Sequence, residues 1–124
     1  MIAEDNEDLR ATMVALLGSE ADLRCVAETD DLEQVAALAA ATEPHVIVLD
    51  IELKGQSSLT RLASLRRELP AARFVIYSGH SLAELVKGAL AAGACEYVLK
   101  SGDPDELVRA ARAPLTSSAR LCPL

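Results

Sequence analysis

The sequence predicts an α/β fold, a doubly wound five-stranded parallel sheet with helices on both faces. Three observations carry that expectation. Short apolar runs alternate with longer stretches whose apolar residues recur at helical spacing, strand then helix, through the whole chain. The run Val46-Ile47-Val48-Leu49 is apolar without alternation, as a strand covered on both faces should be. Hydrophobic residues make up 51% of the 124 positions, yet there is one Phe, two Tyr and no Trp. A core of Ala, Leu and Val suits helices packed on a parallel sheet, and the length suits one domain.

The elements follow in order. Met1 to Ala3 is a very short apolar start that ends in Glu4-Asp5. Leu9, Met13, Leu16 and Leu17 share one helical face, with Gly18 as its stop. Leu23 to Ala27 reads as the second strand. Asp30-Asp31 caps a helix whose face is Leu32, Val35, Ala36 and Ala39, and Pro44 closes that unit. His45 to Leu49 is the third strand and runs straight into Asp50. Glu52 to Ser58, containing Gly55, reads as a polar loop. Leu59, Leu62, Leu65 and Leu69 define a helix that stops at Pro70. Phe74 to Tyr77 is the fourth strand and ends at Ser78-Gly79. Leu82, Leu85, Val86 and Ala89 form the next face, stopped by Gly93. Tyr97 to Leu99 is the last strand and ends at Lys100. Asp103 is the expected N-cap of the last helix, with Pro104 at its first position and Glu106 three residues after the cap. Leu107, Val108, Ala110 and Ala111 supply its apolar face and Pro114 ends it. The chain therefore divides into one domain, residues 1–113, and a tail or linker stub, residues 114–124, without internal repeats.

Composition excludes several roles. A net charge of -7 argues against direct binding of nucleic acid, whose phosphates select Lys and Arg. No run of 18 apolar residues is present, so no membrane span is expected. The start has no basic segment followed by an apolar stretch, so no secretory leader is expected. Cys25, Cys95 and Cys122 fit no metal spacing; their odd number reads as reduced thiols in a cytoplasmic protein, with Cys25 and Cys95 serving as small hydrophobes.

In a doubly wound sheet the ligand site lies beyond the carboxyl ends of the strands. Glu4, Asp5, Asp50, Ser78 and Lys100 all sit at such ends, so the fold should gather them at one edge. Two carboxylates ~5 Å apart repel by roughly 3 kcal/mol at an effective dielectric near 20. A hard divalent cation such as Mg²⁺ relieves this, because it takes a few carboxylate oxygens plus water or phosphate oxygens. Three acids, Mg²⁺ and Lys100 sum to zero charge. A phosphoryl group added to Asp50 would be held by Lys100, the metal and the Ser78 hydroxyl. Taken singly, each residue has a plainer reading. Asp5 can cap the following helix, Asp50 can be a turn residue, Lys100 a solvated charge and Ser78 a loop hydroxyl. Five at the right strand ends are hard to obtain by accident. His45 and His80 pair with no Cys or nucleophilic Ser at a useful spacing and read as surface residues.

The segments Ile2-Ala3-Glu4-Asp5-Asn6, Val46 to Asp50, Ile76-Tyr77-Ser78-Gly79 and Gly93 to Lys100 resemble those of response-regulator receiver domains of two-component signal transduction. The resemblance reaches nearly to Arg112 and is strongest to receivers that precede helix-turn-helix DNA-binding domains. It implies a flavodoxin-like strand order, 2-1-3-4-5. It also implies that Asp50 is the phosphoacceptor and that Mg²⁺ is held by Glu4, Asp5, Asp50 and the backbone carbonyl of Glu52. Ser78 and Lys100 would steady the phosphoryl group, Ser78 and Tyr97 would form the switch, and Glu52 and His80 would tune its lifetime. The implied partner is a histidine kinase or phosphotransfer protein. A DNA-binding output domain beyond this chain and a homodimer through the last helices are left open. The chemistry would be self-catalysed phosphoryl uptake and slow hydrolysis, so the protein is not expected to be an enzyme. Against the family pattern the first strand is short, Leu53-Lys54 and Ser57-Ser58 replace the usual residues after the acceptor, and Ser101 replaces a Pro. Two other readings follow from the same residues. One is a phosphorylation-independent interaction module of the same fold. The other is a metal-dependent phosphatase with Glu52 as general acid, which lacks a substrate cap and a second acidic motif.

Overall fold

The computed structural model describes residues 1–112. The expected helix stop at Pro114 and the tail 114–124 lie outside them. The strands of the main sheet are β1 (Ile2–Ala3), β2 (Glu28–Thr29), β3 (Val46–Leu49), β6 (Arg73–Ser78) and β7 (Glu96–Leu99). All pair in parallel, in the order β2-β1-β3-β6-β7, which is the 2-1-3-4-5 order that the resemblance implied. The helices are α1 (Glu7–Gly18), α2 (Val35–Thr42), α3 (Leu59–Glu68), α4 (Ala83–Ala92) and α5 (Pro104–Arg112). A 3-10 turn, Leu32–Gln34, leads into α2.

Side-chain alternation along the buried strands divides the core into two layers. Ala3, Ile47, Leu49, Phe74 and Ile76 face Leu32, Val35, Ala39, Leu62, Leu65 and Ala89, the inner sides of α2, α3 and α4 and of the turn before them. Ile2, Val48, Val75, Tyr77 and Val98 face Met13 and Leu17 of α1 and Leu107, Val108, Ala110 and Ala111 of α5. The caps follow the sequence in part. Asp31 accepts from the Glu33 N–H at 3.0 Å, and Asp103 accepts from the Asp105 N–H at 2.9 Å. Gly93 ends α4 with φ 117. Gly18 instead remains the last helical residue of α1, and Ser19 closes that helix in a right-handed conformation.

Three expectations are corrected. The second strand is not Leu23 to Ala27 but Glu28–Thr29. The register pairs Ile2 with Glu28 and Ala3 with Thr29, so a two-residue β1 can ladder with no more than that. Ala27 still accepts from the Ile2 N–H at 3.0 Å, while Leu23 to Val26 run past the end of β1. The polar loop Glu52 to Ser58 is in fact an antiparallel hairpin, β4 (Glu52–Leu53) and β5 (Gln56–Ser57). Its turn residues Lys54 and Gly55 have φ 50 and 79, the type I′ backbone that matches strand twist. The reduced-thiol reading holds for Cys25, which is free, but Cys95 is disulfide-bonded.

Burial of polar groups is confined to a few sites. The Met1 ammonium donates to Val46 O at 3.0 Å, and burial lowers its pKa. The Arg73 guanidinium is buried with none of its nitrogens hydrogen-bonded; burial lowers its pKa, and the Glu96 carboxylate partly offsets that. Among the described residues, no helix is long and apolar enough to cross a membrane.

Two glycines should respond oppositely to substitution. A Cβ on Gly88, inside α4, would meet only Leu59 Cδ1 at 3.8 Å, so Gly88→Ala should stabilise the protein by up to about 1 kcal/mol. At Gly93 a Cβ would lie 2.3 Å from Arg66 Cδ on a left-handed backbone, so Gly93→Ala should cost about 1–3 kcal/mol. Urea denaturation of the two variants measures both effects.

Candidate functional site

The main-chain ladder places the polar residues before any side chain acts. The Glu4 N–H donates to Thr29 O at 3.0 Å, the Asp50 N–H to Ala3 O at 3.1 Å, and the Lys100 N–H to Ser78 O at 2.8 Å. Each is the ladder bond just beyond a strand end. The five residues proposed from sequence therefore share the carboxyl edge of the sheet.

The side chains then converge unequally. Lys100 Nζ donates to Asp50 Oδ2 at 2.7 Å and lies 2.9 Å from Glu4 Oε1, the second contact being an ion pair rather than an aligned hydrogen bond. Glu4 is 1% exposed and Asp50 8%, so the lysine bridges two buried carboxylates. Asp5 is exposed, and its Oδ2 accepts from the Lys54 N–H at 2.7 Å. Oxygens of Glu4, Asp5 and Asp50 all lie within 4.8 Å of one another. Ser78 is fully buried beside them, and its hydroxyl accepts from the His80 N–H at 3.0 Å. Tyr97 donates its hydroxyl to His80 O at 2.7 Å, so it meets the loop after β6 rather than the acids. The Glu52 side chain is exposed, and its N–H reaches Asp50 Oδ1 only at 3.4 Å.

Neighbouring residues missed in the sequence hold the cluster in shape. Asn6, not Asp5, caps α1, accepting from the Leu9 N–H at 2.9 Å, which leaves the Asp5 carboxylate at the site. The Asn6 N–H in turn donates to Glu4 Oε2 at 3.0 Å. An Asn immediately before an acidic first turn was the available signal. Arg10 donates to Glu4 O at 2.9 Å. The buried Ser58 hydroxyl donates to Asp50 O at 2.5 Å and pins the main chain of that residue. Nothing in the spacing of Ser58 and Asp50 announces that contact.

The electrostatics follow from burial and these partners. Burial raises the Glu4 pKa above its ordinary 4.5, and the Asn6 N–H and Lys100 only partly oppose it. The Lys54 N–H holds the Asp5 pKa below its ordinary 3.8. Burial works against charge on Lys100, but the carboxylates of Asp50 and Glu4 beside it outweigh that and leave its pKa raised. Three carboxylates against one ammonium leave an excess of negative charge among closely grouped oxygens. That donor set fits a hard divalent cation of the Mg²⁺ kind.

The family model described as response regulator receiver domain matches residues 1–112. The nitrate/nitrite response regulators NarL and NarP of Escherichia coli K12 are 32% and 34% identical over 110 and 113 residues, or 89% and 91% of this chain. Those matches take in 51% and 53% of the two relatives, so the chain spans about half their length. Among solved structures, a LuxR-family two-component response regulator from Aurantimonas sp. SI85-9A1 superposes with a TM-score of 0.87 at 32% identity. That match covers 93% of this chain and 82% of the other.

The raised pKa of Glu4 has a definite sign. The folded protein binds that proton more tightly than the unfolded chain, so the contribution is full below 4.5 and is lost as pH rises through the raised value. Lys100→Met removes the counter-ion of both buried acids and should cost about 3 kcal/mol at pH 7. The cost should shrink at lower pH as Glu4 takes up its proton. Chemical denaturation of wild type and variant at pH 7 and at lower pH checks this.

Proposed function

The chain belongs to the response-regulator receiver family, and from that premise we propose that it is the phosphorylation-activated switch of a two-component pathway. Asp50 takes the phosphoryl group from a histidine kinase or phosphotransfer protein. The observation that carries this reading is the placement of the Lys100 ammonium on Asp50 Oδ2. That contact commits one oxygen of the acceptor and leaves Oδ1, whose one hydrogen-bond partner among the described residues is the long 3.4 Å contact from the Glu52 N–H, as the nucleophile.

Glu4, Asp5, Asp50 and the Glu52 carbonyl would hold Mg²⁺, which supplies neutralising charge against the phosphoryl oxygens. In the step itself, Asp50 Oδ1 attacks phosphorus, the bond to the donor's imidazole nitrogen breaks, and an acyl phosphate remains. Lys100 then pairs with a phosphoryl oxygen in place of the carboxylate it now holds. The Ser78 hydroxyl, now accepting from the His80 N–H, rotates to donate to another phosphoryl oxygen. The Tyr97 hydroxyl bond to His80 O ties the aromatic ring to the same loop, so a shift of that loop is transmitted to β7. The exposed Glu52 and His80 flank the path of the attacking water and set the lifetime of the phosphorylated state.

The receiver relatives are signalling proteins, and the output of this one lies elsewhere. The chain spans about half of the regulators it matches, which supports a DNA-binding output domain joined to it. A homodimer through the last helices and a cytoplasmic location complete the reading.

Intact-mass spectrometry after incubation with acetyl phosphate and Mg²⁺ tests it. Wild type should gain one phosphoryl group, about 80 Da, only when Mg²⁺ is present, and Asp50→Asn should gain none. An adduct that persists in Asp50→Asn, or no adduct on folded wild type, would refute the assignment.

A further inference from the structure

The segment after Asp50 departs from the family pattern at Leu53-Lys54 and Ser57-Ser58, and these residues form the β4–β5 hairpin and its junction with α3. Leu53 is 1% exposed and anchors the hairpin in the core beneath the sheet edge. Leu53 pairs with Gln56 across the two-residue turn Lys54-Gly55, which makes it the hydrogen-bonded pair. The main-chain groups of Glu52 and Lys54 therefore point away from β5. Two contacts agree with that orientation: the Glu52 N–H faces Asp50 Oδ1 at 3.4 Å, and the Lys54 N–H donates to Asp5 Oδ2 at 2.7 Å. In an extended residue the carbonyl lies on the same edge as the N–H, so the Glu52 carbonyl also faces the acids. The Lys54 ammonium reaches the other way, to Asp30 Oδ2 at 3.3 Å in the loop after β2.

We propose that Lys54 is a positioning residue for the metal site, acting as a clasp that holds the hairpin against the acids. Its N–H commits one oxygen of Asp5 and leaves the other for the cation. Its ammonium, paired with Asp30, keeps the turn seated so that the Glu52 carbonyl stays directed at the same point. Both partners are about half exposed, so the ion pair is weak and tunes the site rather than creating it. The positive φ of Lys54 and Gly55 makes the turn itself the second half of the clasp. A Cβ on Gly55 would meet nothing within 4 Å, so Gly55→Ala disturbs the turn through backbone strain alone. This role rests on the phosphoacceptor reading above and adds to it a determinant of cation affinity outside the coordinating set.

The test is Mg²⁺ titration by isothermal calorimetry on the full chain, with circular dichroism to establish folding. Lys54→Met and Asp30→Asn should each weaken Mg²⁺ binding about threefold, and the double variant should be no weaker than either single one. Gly55→Ala should weaken it at least as much. Phosphorylation by acetyl phosphate should slow in these variants at limiting Mg²⁺, and the rate should recover as Mg²⁺ is raised. A merely structural defect would not show that split. Unchanged affinity in both Lys54→Met and Gly55→Ala, with wild type binding normally, would overturn the clasp alone. A wild type that binds no Mg²⁺ would overturn the clasp and the phosphoacceptor reading together.

Discussion

The ammonium of Lys100 allows two buried carboxylates to share one edge of the sheet. Without a cation there, Glu4 and Asp50 would each face burial and mutual repulsion, and one would have to protonate. With it, Asp50 Oδ2 has a donor at 2.7 Å. The strand ends, the caps and the loops around the site are arranged so that this three-residue contact can form. Lys100 reaches it because its own N–H continues the sheet ladder onto Ser78 O. Glu4 and Asp50 reach it because their N–H groups do the same on Thr29 and Ala3.

The remaining polar contacts divide between orienting and tying. Asn6 caps α1 and turns its own N–H onto Glu4, so one residue ends the loop and aims a carboxylate. Ser58 fastens the Asp50 carbonyl, and the Lys54 N–H of the hairpin fastens Asp5. Ser78, His80 and Tyr97 form a separate chain of bonds along the loop after β6. The site thus has an acidic half, built on β1 and β3, and a second half linked through single hydrogen bonds along the loop after β6.

The layers of the core were legible because burial on both faces leaves its own pattern. Val46 to Leu49 carries no polar residue, and alternate members of it do serve opposite layers. The helix starting at Pro104 was legible for the same kind of reason, since Asp103 and its spacing to Glu106 belong to local chemistry. The second strand was not. Leu23 to Ala27 has the composition of a strand, but pairing requires a neighbour, and β1 offers Ile2 and Ala3 alone. Strand propensity is a property of a segment, whereas strand length belongs to the pair. The Lys54-Gly55 turn was missed because it lacks the Asn-Gly or Asp-Gly sequence that usually marks a type I′ hairpin.

By itself, the sequence determined the fold class, the alternation of the five sheet strands with the helices and the identity of the polar residues Glu4, Asp5, Asp50, Ser78 and Lys100 at the strand ends. Those are consequences of periodicity, capping and composition, which act over a few neighbouring positions. Only the tertiary structure decided which of these residues touch. Glu4, Asp50 and Lys100 are distant in the chain, and their contact depends on strand order and register. The same holds for Lys54 on Asp5, where a main-chain donor does the work and no side-chain pattern can record it. Distances between charges fix their energies, and those distances exist only once the sheet has closed around them.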